Sequence, residues 1–214
     1  KSFTLAGVLD THTLKSDEEF FCEEGAFEID GSIINDTHSY GWFTVEEIIV
    51  HSSNIGAAKM GLKLGRERFE EYIRKFGFGE PTGIEITGEN PGLVRSMKKI
   101  SRVGVATVSF GQGIGVTPIQ LLTAFNAIAN KGVWVKPTII KRIEDAHGNV
   151  ILTSTPATRK VISEETAKEM TRIFTNVVHG GGTGGRASPD GYIAAGKTGT
   201  AQKVNHLKGG YFDD

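Results

Sequence analysis

The stretch Thr117 to Gly132, TPIQLLTAFNAIANKG, is the strongest constraint on what this chain can fold into, because its only charged residue is Lys131. Thr117 followed by Gln120 is a capping box, and Pro118 falls at the first helical position, where a missing N–H costs nothing. Leu121, Leu122, Phe125 and Ile128 then supply an apolar face, and Gly132 ends the helix. A helix with so little charge is expected in the middle of a domain. At 214 residues the chain is long enough for one substantial core, and nothing forces a second domain.

Other helices are legible around it. Thr44 and Glu47 form a second capping box before Val45, Ile48 and Ile49, and this helix runs into His51-Ser-Ser-Asn54, whose small polar side chains compete for backbone hydrogen bonds and interrupt it. Helical character resumes over Ile55 to Leu64 and again over Arg66 to Phe76, with Phe69, Tyr72, Ile73 and Phe76 on one face. A Gly/Pro-rich loop follows. Ser163 caps a further helix carrying Ala167, Met170, Ile173, Phe174 and Val177. Trp134 to Ile143 and Val150 to Thr153 read as strands joined by a hairpin through Asp145 to Asn149, and Tyr192 to Ala195 as a short strand. Ser2 to Leu9 reads as the exposed remainder of a helix, the run to Tyr40 has no periodicity, and the GGGTGG loop after Gly180 is expected to be mobile. Helices mostly first and strands mostly last predict an α+β fold, with an antiparallel sheet and a largely helical lobe.

Composition narrows function by exclusion. Lys+Arg 24 against Asp+Glu 25 leaves a formal charge of −1, so no electrostatic footprint recommends nucleic acid or an anionic membrane. The single cysteine, Cys22, reads as a packing residue or a bystander, and with the six scattered histidines it makes no zinc-spaced ligand pair, so neither metal nor cofactor is expected. No apolar run approaches the roughly 18 residues of a membrane-spanning helix. Any function must be local.

The candidate locality is Gly191 to Lys203, GYIAAGKTGTAQK, which satisfies two patterns at once. Gly191 to Thr198 matches the phosphate loop G-x-x-x-x-G-K-[ST], whereas Lys197-Thr198-Gly199 is the K-T-G element of serine enzymes that handle penicillins. A phosphate loop needs a buried strand before its first glycine and a helix after its Lys-Thr, with amides aimed at the phosphates. The residues before Gly191, TGGRASPD, cannot form a core strand, Gly199 is a poor helix start, and no acidic strand end offers itself to magnesium, so a nucleotide is not expected. As a K-T-G element, Gly196 to Gln202 would be an extended edge strand lining a cleft. Lys197 would supply charge, Thr198 a hydroxyl for a carboxylate, and Gly199 room for substrate against the backbone. An S-x-N partner element is present at Ser52-Ser53-Asn54.

HSSN with IGAAKMG, then GENPGLV, FGQGIGVTPIQLLTAFNAIANKG and AGKTGTAQK, in that order, strongly resembles the transpeptidase domain of class B penicillin-binding proteins, especially the cell-division type. The resemblance runs through essentially the whole chain. It implies the penicillin-binding/β-lactamase-like fold and a serine D,D-transpeptidase. Such an enzyme attacks the penultimate D-Ala of a peptidoglycan stem peptide, releases the terminal D-Ala and passes the acyl group to an amine on a neighbouring strand. By the same resemblance Ser52 relays protons, Asn54 bonds the substrate amide, Lys197 sustains the positive field, Thr198 and Thr200 meet the substrate carboxylate, and the Thr200 N–H is one oxyanion donor. His51 is read as a structural or surface residue.

The nucleophile of the family sits in S-x-x-K, and here the pattern departs. The match at Ser96-Met-Lys-Lys99 follows the S-x-N element instead of preceding it and lies in a basic loop run, so it reads as a solvated charge cluster. Lys1, which leads into an apolar segment, is expected to be the motif lysine, with the serine three residues upstream of it. Residues 1–214 would then be a partial transpeptidase domain, inactive without that serine and without the last strands and helix of the fold. The implied partners are stem peptides, β-lactams, a lipid II polymerase and division proteins. The implied location is the outer face of the bacterial cytoplasmic membrane, anchored by a segment not in this chain. A serine β-lactamase and a non-catalytic penicillin-binding-like sensor or scaffold remain as alternatives.

Overall fold

The computed structural model describes residues 1–200, and its centre is the segment expected at the surface. Helix α1 (Ser2–Asp10) buries Ser2, Thr4, Leu5, Ala6, Gly7, Val8 and Leu9, so it is enclosed on every side. A nine-residue stretch with no charge before Asp10 can be wrapped in this way without stranding an ion. Around α1 lie α2 (Val45–Val50), α3 (Asn54–Leu64), α4 (Arg66–Lys75) and α7 (Glu164–His179). Leu5, Val8, Ile48, Ile49, Met60, Phe69, Phe76 and Ile173 join in one continuous core.

The almost uncharged helix α6 (Pro118–Ala129) starts on the expected capping box but is not central. It buries Gln120, Thr123, Ala124, Ala127 and Ile128, a stripe one position off the expected one, and leaves Leu122 65% exposed. Small residues set the stripe: Ala124 and Ala127 let α6 close on its neighbours, and the Gln120 amide donates to the carbonyls of Glu80 (2.8 Å) and Pro91 (2.9 Å), stitching down the loop before it.

Helix α5 (Arg102–Phe110) went unread inside the supposed loop. Its interior glycine and valines carry weak helix propensity, although Ser101 caps it and Gly111 closes it in the left-handed conformation. The short strands before Tyr40 were equally silent. β1 (Glu19–Phe21) pairs with β4 (Trp42–Thr44), and β2 (Ala26–Ile29) with β3 (Ser32–Asn35) across Asp30-Gly31, whose φ angles of 47° and 75° make the two-residue hairpin turn that Asp-Gly favours. The Trp134 run also divides. β5 (Val133–Val135) pairs with β8 (Thr158–Lys160), and after Lys136-Pro137 a separate β6 (Arg142–Glu144) pairs with β7 (Val150–Thr153). Proline supplies no ladder donor, which ends the first strand there. The described residues thus hold four antiparallel pairs, some early in the chain, and among them no strand pairs with Tyr192 to Ala195, which is not a strand.

Helices α1, α3 and α5 meet where Thr4 Oγ1 donates to the Ser109 carbonyl at 2.6 Å and Gly61 of α3 faces Ser109. A methyl group on Gly61 would stand 1.8 Å from Ser109 Oγ and 2.6 Å from its Cβ, so no rotamer change relieves the clash. Gly61→Ala is expected to push α3 from α5 and cost about 1–3 kcal/mol, as overpacking does. Urea denaturation measures it, and an unchanged midpoint would refute this packing.

Candidate active site

The S-x-N element is built where one helix ends and another begins, with only His51, Ser52 and Ser53 between them. At the end of α2 the Ser53 N–H donates to the Ile48 carbonyl (3.0 Å) and the Ser52 N–H to the Ile49 carbonyl (3.3 Å), the paired bonds of a Schellman cap. That cap demands a left-handed residue, ordinarily glycine, and Ser52 occupies the position at φ 63°. Ser53 then caps α3 by accepting the Gly56 N–H at 2.9 Å. The interruption expected from three small polar residues is therefore two caps sharing a serine.

Asp36, just after β3, fastens this junction. Its Oδ2 accepts from Ser53 Oγ at 2.6 Å, and its Oδ1 accepts the backbone N–H groups of Asn54 and, at 3.2 Å, Ile55. Asn54 Nδ2 donates to the Asn35 carbonyl at 2.9 Å. Cys22 is buried beneath, its sulfur 3.5 Å from Ser53 Oγ, and burial pushes its thiol up in pKa, as suits a packing residue.

Opposite this wall stands the K-T-G segment. Gly196 N–H donates to the Phe174 carbonyl of α7 at 3.1 Å, and Lys197 Nζ donates to Thr198 Oγ1 at 3.1 Å. Thr198 Oγ1 lies 2.8 Å from Thr183 Oγ1, and the Thr183 N–H donates to the Val50 carbonyl at 3.1 Å. The glycine-rich loop expected to be free is thereby tied to both walls, and sequence reading missed Thr183 because nothing local marks it among the glycines. The Gly199 Cβ position has nothing within 4 Å, leaving the backbone open to approach. Residues 196–200 carry no strand pairing, and Ala201, Gln202 and Lys203 lie outside the described residues.

Lys1 closes the third side. It stands at the N-cap of α1, half-buried, and burial lowers its ammonium pKa to about 8 against the opposing charge of Asp36. Lys197 is also lowered to about 8, first by burial and then by the charge of Lys1. Lys1, Ser52, Asn54, Thr198 and Thr200 line a single cleft of about 770 Å³, and a more apolar cleft beside it shares Lys1 and Lys197 to Thr200. The candidate site residues Lys1, Ser52, Asn54, Lys197, Thr198, Gly199 and Thr200 thus all line one or both of these adjoining clefts. His51 stacks on Phe43 at 5.0 Å at the edge of the cleft.

Ser96 lies elsewhere. Its hydroxyl and the Met97 N–H donate to Glu70 Oε2 at 3.0 and 2.9 Å, so it ties its loop to α4 while Lys98 and Lys99 face solvent. The phosphate-loop reading fails as expected on its upstream side: a 3-10 turn, Gly185–Ala187, precedes Gly191 in place of a core strand.

Two lysines made less basic, facing a serine and an asparagine at a helix junction and the hydroxyls of K-T-G, are the polar inventory that acyl transfer through a lysine-activated serine calls for. The chain belongs to the penicillin binding protein transpeptidase domain family, whose model matches residues 1–214. It is 38% identical over 97% of its length to stage V sporulation protein D of Bacillus subtilis, covering 33% of that protein. Penicillin binding protein 3 of Mycobacterium tuberculosis superposes with a TM-score of 0.92 at 34% identity, over 99% of this chain and 49% of the solved one; that protein has also been solved with aztreonam and with ampicillin. The D,D-transpeptidase domain of a peptidoglycan glycosyltransferase from Eggerthella lenta gives 0.89 at 25% identity, over 95% and 53%. The chain thus spans about a third of the curated relative and about half of the solved ones.

The left-handed Ser52 yields a prediction that separates stability from function. Ser52→Gly removes the Cβ penalty of that conformation and is expected to raise stability by up to about 1 kcal/mol, read as a higher urea midpoint. A lower midpoint would contradict the cap geometry.

Proposed function

We propose that the protein to which these residues belong is a peptidoglycan D,D-transpeptidase and a target of β-lactams. The observation that carries this reading is the placement of Lys1: at the N-cap of a buried helix, with its ammonium lowered to about 8, where the Ser52–Asn54 and Lys197–Thr200 walls meet. A neutral Lys1 takes the proton of a serine hydroxyl one helical turn ahead of it, three residues before Lys1, and that oxygen adds to the penultimate D-Ala carbonyl of a stem peptide. The Thr200 N–H and a second backbone N–H receive the oxyanion. Ser52 passes the proton to the departing D-Ala nitrogen, the C–N bond breaks, and an ester remains. An amine from a neighbouring strand then displaces the serine oxygen, which regains its proton. Asn54 bonds the peptide amide, Thr198 and Thr200 the terminal carboxylate, and Lys197 keeps the field positive.

The names of the relatives support the reaction class, and the β-lactam complexes of the mycobacterial relative support the inhibitor class. Residues 1–214 would form part of the transpeptidase domain, with further strands and a helix completing it. A lipid II polymerase and division proteins as partners, and the outer face of the cytoplasmic membrane as location, follow from the family resemblance. No helix among the described residues is long and apolar enough to cross a membrane.

A reporter penicillin tests the reading. Intact-mass analysis of the full-length protein should show one stable ester, located by peptide mapping three residues before Lys1, and residues 1–214 alone should stay unmodified. An adduct on Ser96, or none on the full-length protein, would overturn the assignment, the latter in favour of a sensor or scaffold; rapid turnover of the drug would indicate a β-lactamase.

The pH dependence has a fixed sign. Because the unprotonated amine is the base, acylation should rise with pH through a midpoint at about 8, set by Lys1. A rate flat from pH 6 to 9 would remove Lys1 from that role.

A further inference from the structure

We infer that Asp36 is the positioning residue of the S-x-N wall and the counter-charge of Lys1, holding Ser52 and Asn54 toward the cleft without touching substrate. The inference rests on the function proposed above and adds to it a residue outside all three motifs.

Four observations carry it. Asn35 and Thr37 line the cleft, while Asp36 between them turns behind its wall to Ser53. Both carboxylate oxygens are spent on the junction: Oδ2 on the Ser53 hydroxyl, Oδ1 on the N–H groups of Asn54 and Ile55. Two of these partners are backbone N–H groups that can only donate, and the third, the Ser53 hydroxyl, accepts the Gly56 N–H and has its proton free for Oδ2, so a carboxylate, which only accepts, matches all three. An asparagine would have to turn its NH₂ toward one of them. The same carboxylate is placed at the first turn of α3, where negative charge is favoured.

The junction it holds is one the backbone does not favour. Ser52 sits in the left-handed region at a cost of up to about 1 kcal/mol relative to glycine. Such a conformation persists when its surroundings over-determine it. The Schellman bonds fix it from the side of α2, and Asp36 fixes it from the side of α3 through the residues that immediately follow.

The charge has a second consequence. Among the described residues the ionisable groups around Lys1 are Lys197 on the K-T-G segment, Asp36 after β3, His38, Tyr40 and His51 on the lining of the cleft, and the Cys22 thiol below Ser53; α5 and the turn after it contribute no ionisable group there, Thr107 and Gln112 being their polar side chains. Asp36 is the carboxylate among them. It favours the ammonium form of Lys1 and so opposes burial, which favours the amine. The balance leaves Lys1 with a proton affinity near that of its medium, the condition in which a base both accepts and returns a proton.

The test is acylation of the full-length protein by a reporter penicillin, measured as a second-order rate across pH, for wild type, Asp36→Asn, Asp36→Glu and Ser53→Ala. Asp36→Asn should lower the rate by at least about tenfold, in line with losing a charge-assisted hydrogen bond at a buried donor, and should move the acid limb to lower pH because the carboxylate no longer holds a proton on Lys1. Ser53→Ala keeps the charge and loses the tie, so its rate should fall with the acid limb unmoved. Asp36→Glu, which keeps charge but misplaces it, should also lose rate. A merely structural residue would lower the folded fraction without moving the limb.

An Asp36→Asn rate within twofold of wild type overturns the positioning role, and an unmoved limb overturns the counter-charge. If Asp36→Asn does not fold, judged by circular dichroism, the other two variants decide: wild-type rates in both overturn the inference. A wild-type protein that is not acylated at all refutes instead the function on which the inference rests.

Discussion

Everything at the cleft depends on the burial of a cation. Lys1 heads a helix whose residues are mostly buried, and its own side chain lies half-buried on the lining of the cleft, where burial disfavours its ammonium form. The N-terminal end of a helix is also the end that repels positive charge. Dehydration and helix orientation act in the same direction, and both favour a neutral amine. The rest of the fold can be read as the scaffold for this unfavourable placement: α3, α4 and α7 close around α1, and the core of Phe69, Phe76, Met60 and Ile173 supplies the apolar burial that offsets it.

The two polar walls are positioned by different means. The S-x-N wall is a rigid junction in which one cap ends as the next begins, so its geometry follows from backbone hydrogen bonds and a carboxylate. The K-T-G wall is a segment without strand pairing among the described residues, tied to α7 at Phe174 and through Thr183 to the end of α2. Thr183 therefore links the walls across the cleft, and a shift of one is felt by the other. The family's chemistry needs both at fixed distance from one lysine, because a proton must move between groups that no single helix carries.

Much of this was legible in the residues. Capping boxes at Thr44 and Thr117, the face of α4, the cap at Ser163 and the S-x-N and K-T-G tripeptides are local patterns, and local patterns survive folding. What stayed hidden was set by tertiary context. The central position went to α1 and not to α6, because enclosure depends on which neighbours arrive, and a short uncharged segment gives no periodicity to betray it. Helix α5 was lost to the weak propensity of glycine and valine although its caps, Ser101 and Gly111, were in view. The Asp30-Gly31 hairpin was likewise announced by its turn and overlooked. Asp36 and Thr183 lay beyond reach for a different reason: each acts on residues more than a dozen positions away, and no spacing rule connects an aspartate after a hairpin to the cap of a later helix.

Ser53, the middle letter of S-x-N, is the other end of that long-range tie. Ser53 donates to Asp36, accepts from Gly56, and lends its N–H to the cap of α2, so it is the most heavily committed residue of the three. Written as a pattern, the motif marks this position as free. Physically it is a keystone: the vocabulary open to it is restricted to short hydroxyl side chains, and variation at this site must travel through the neighbours that surround it.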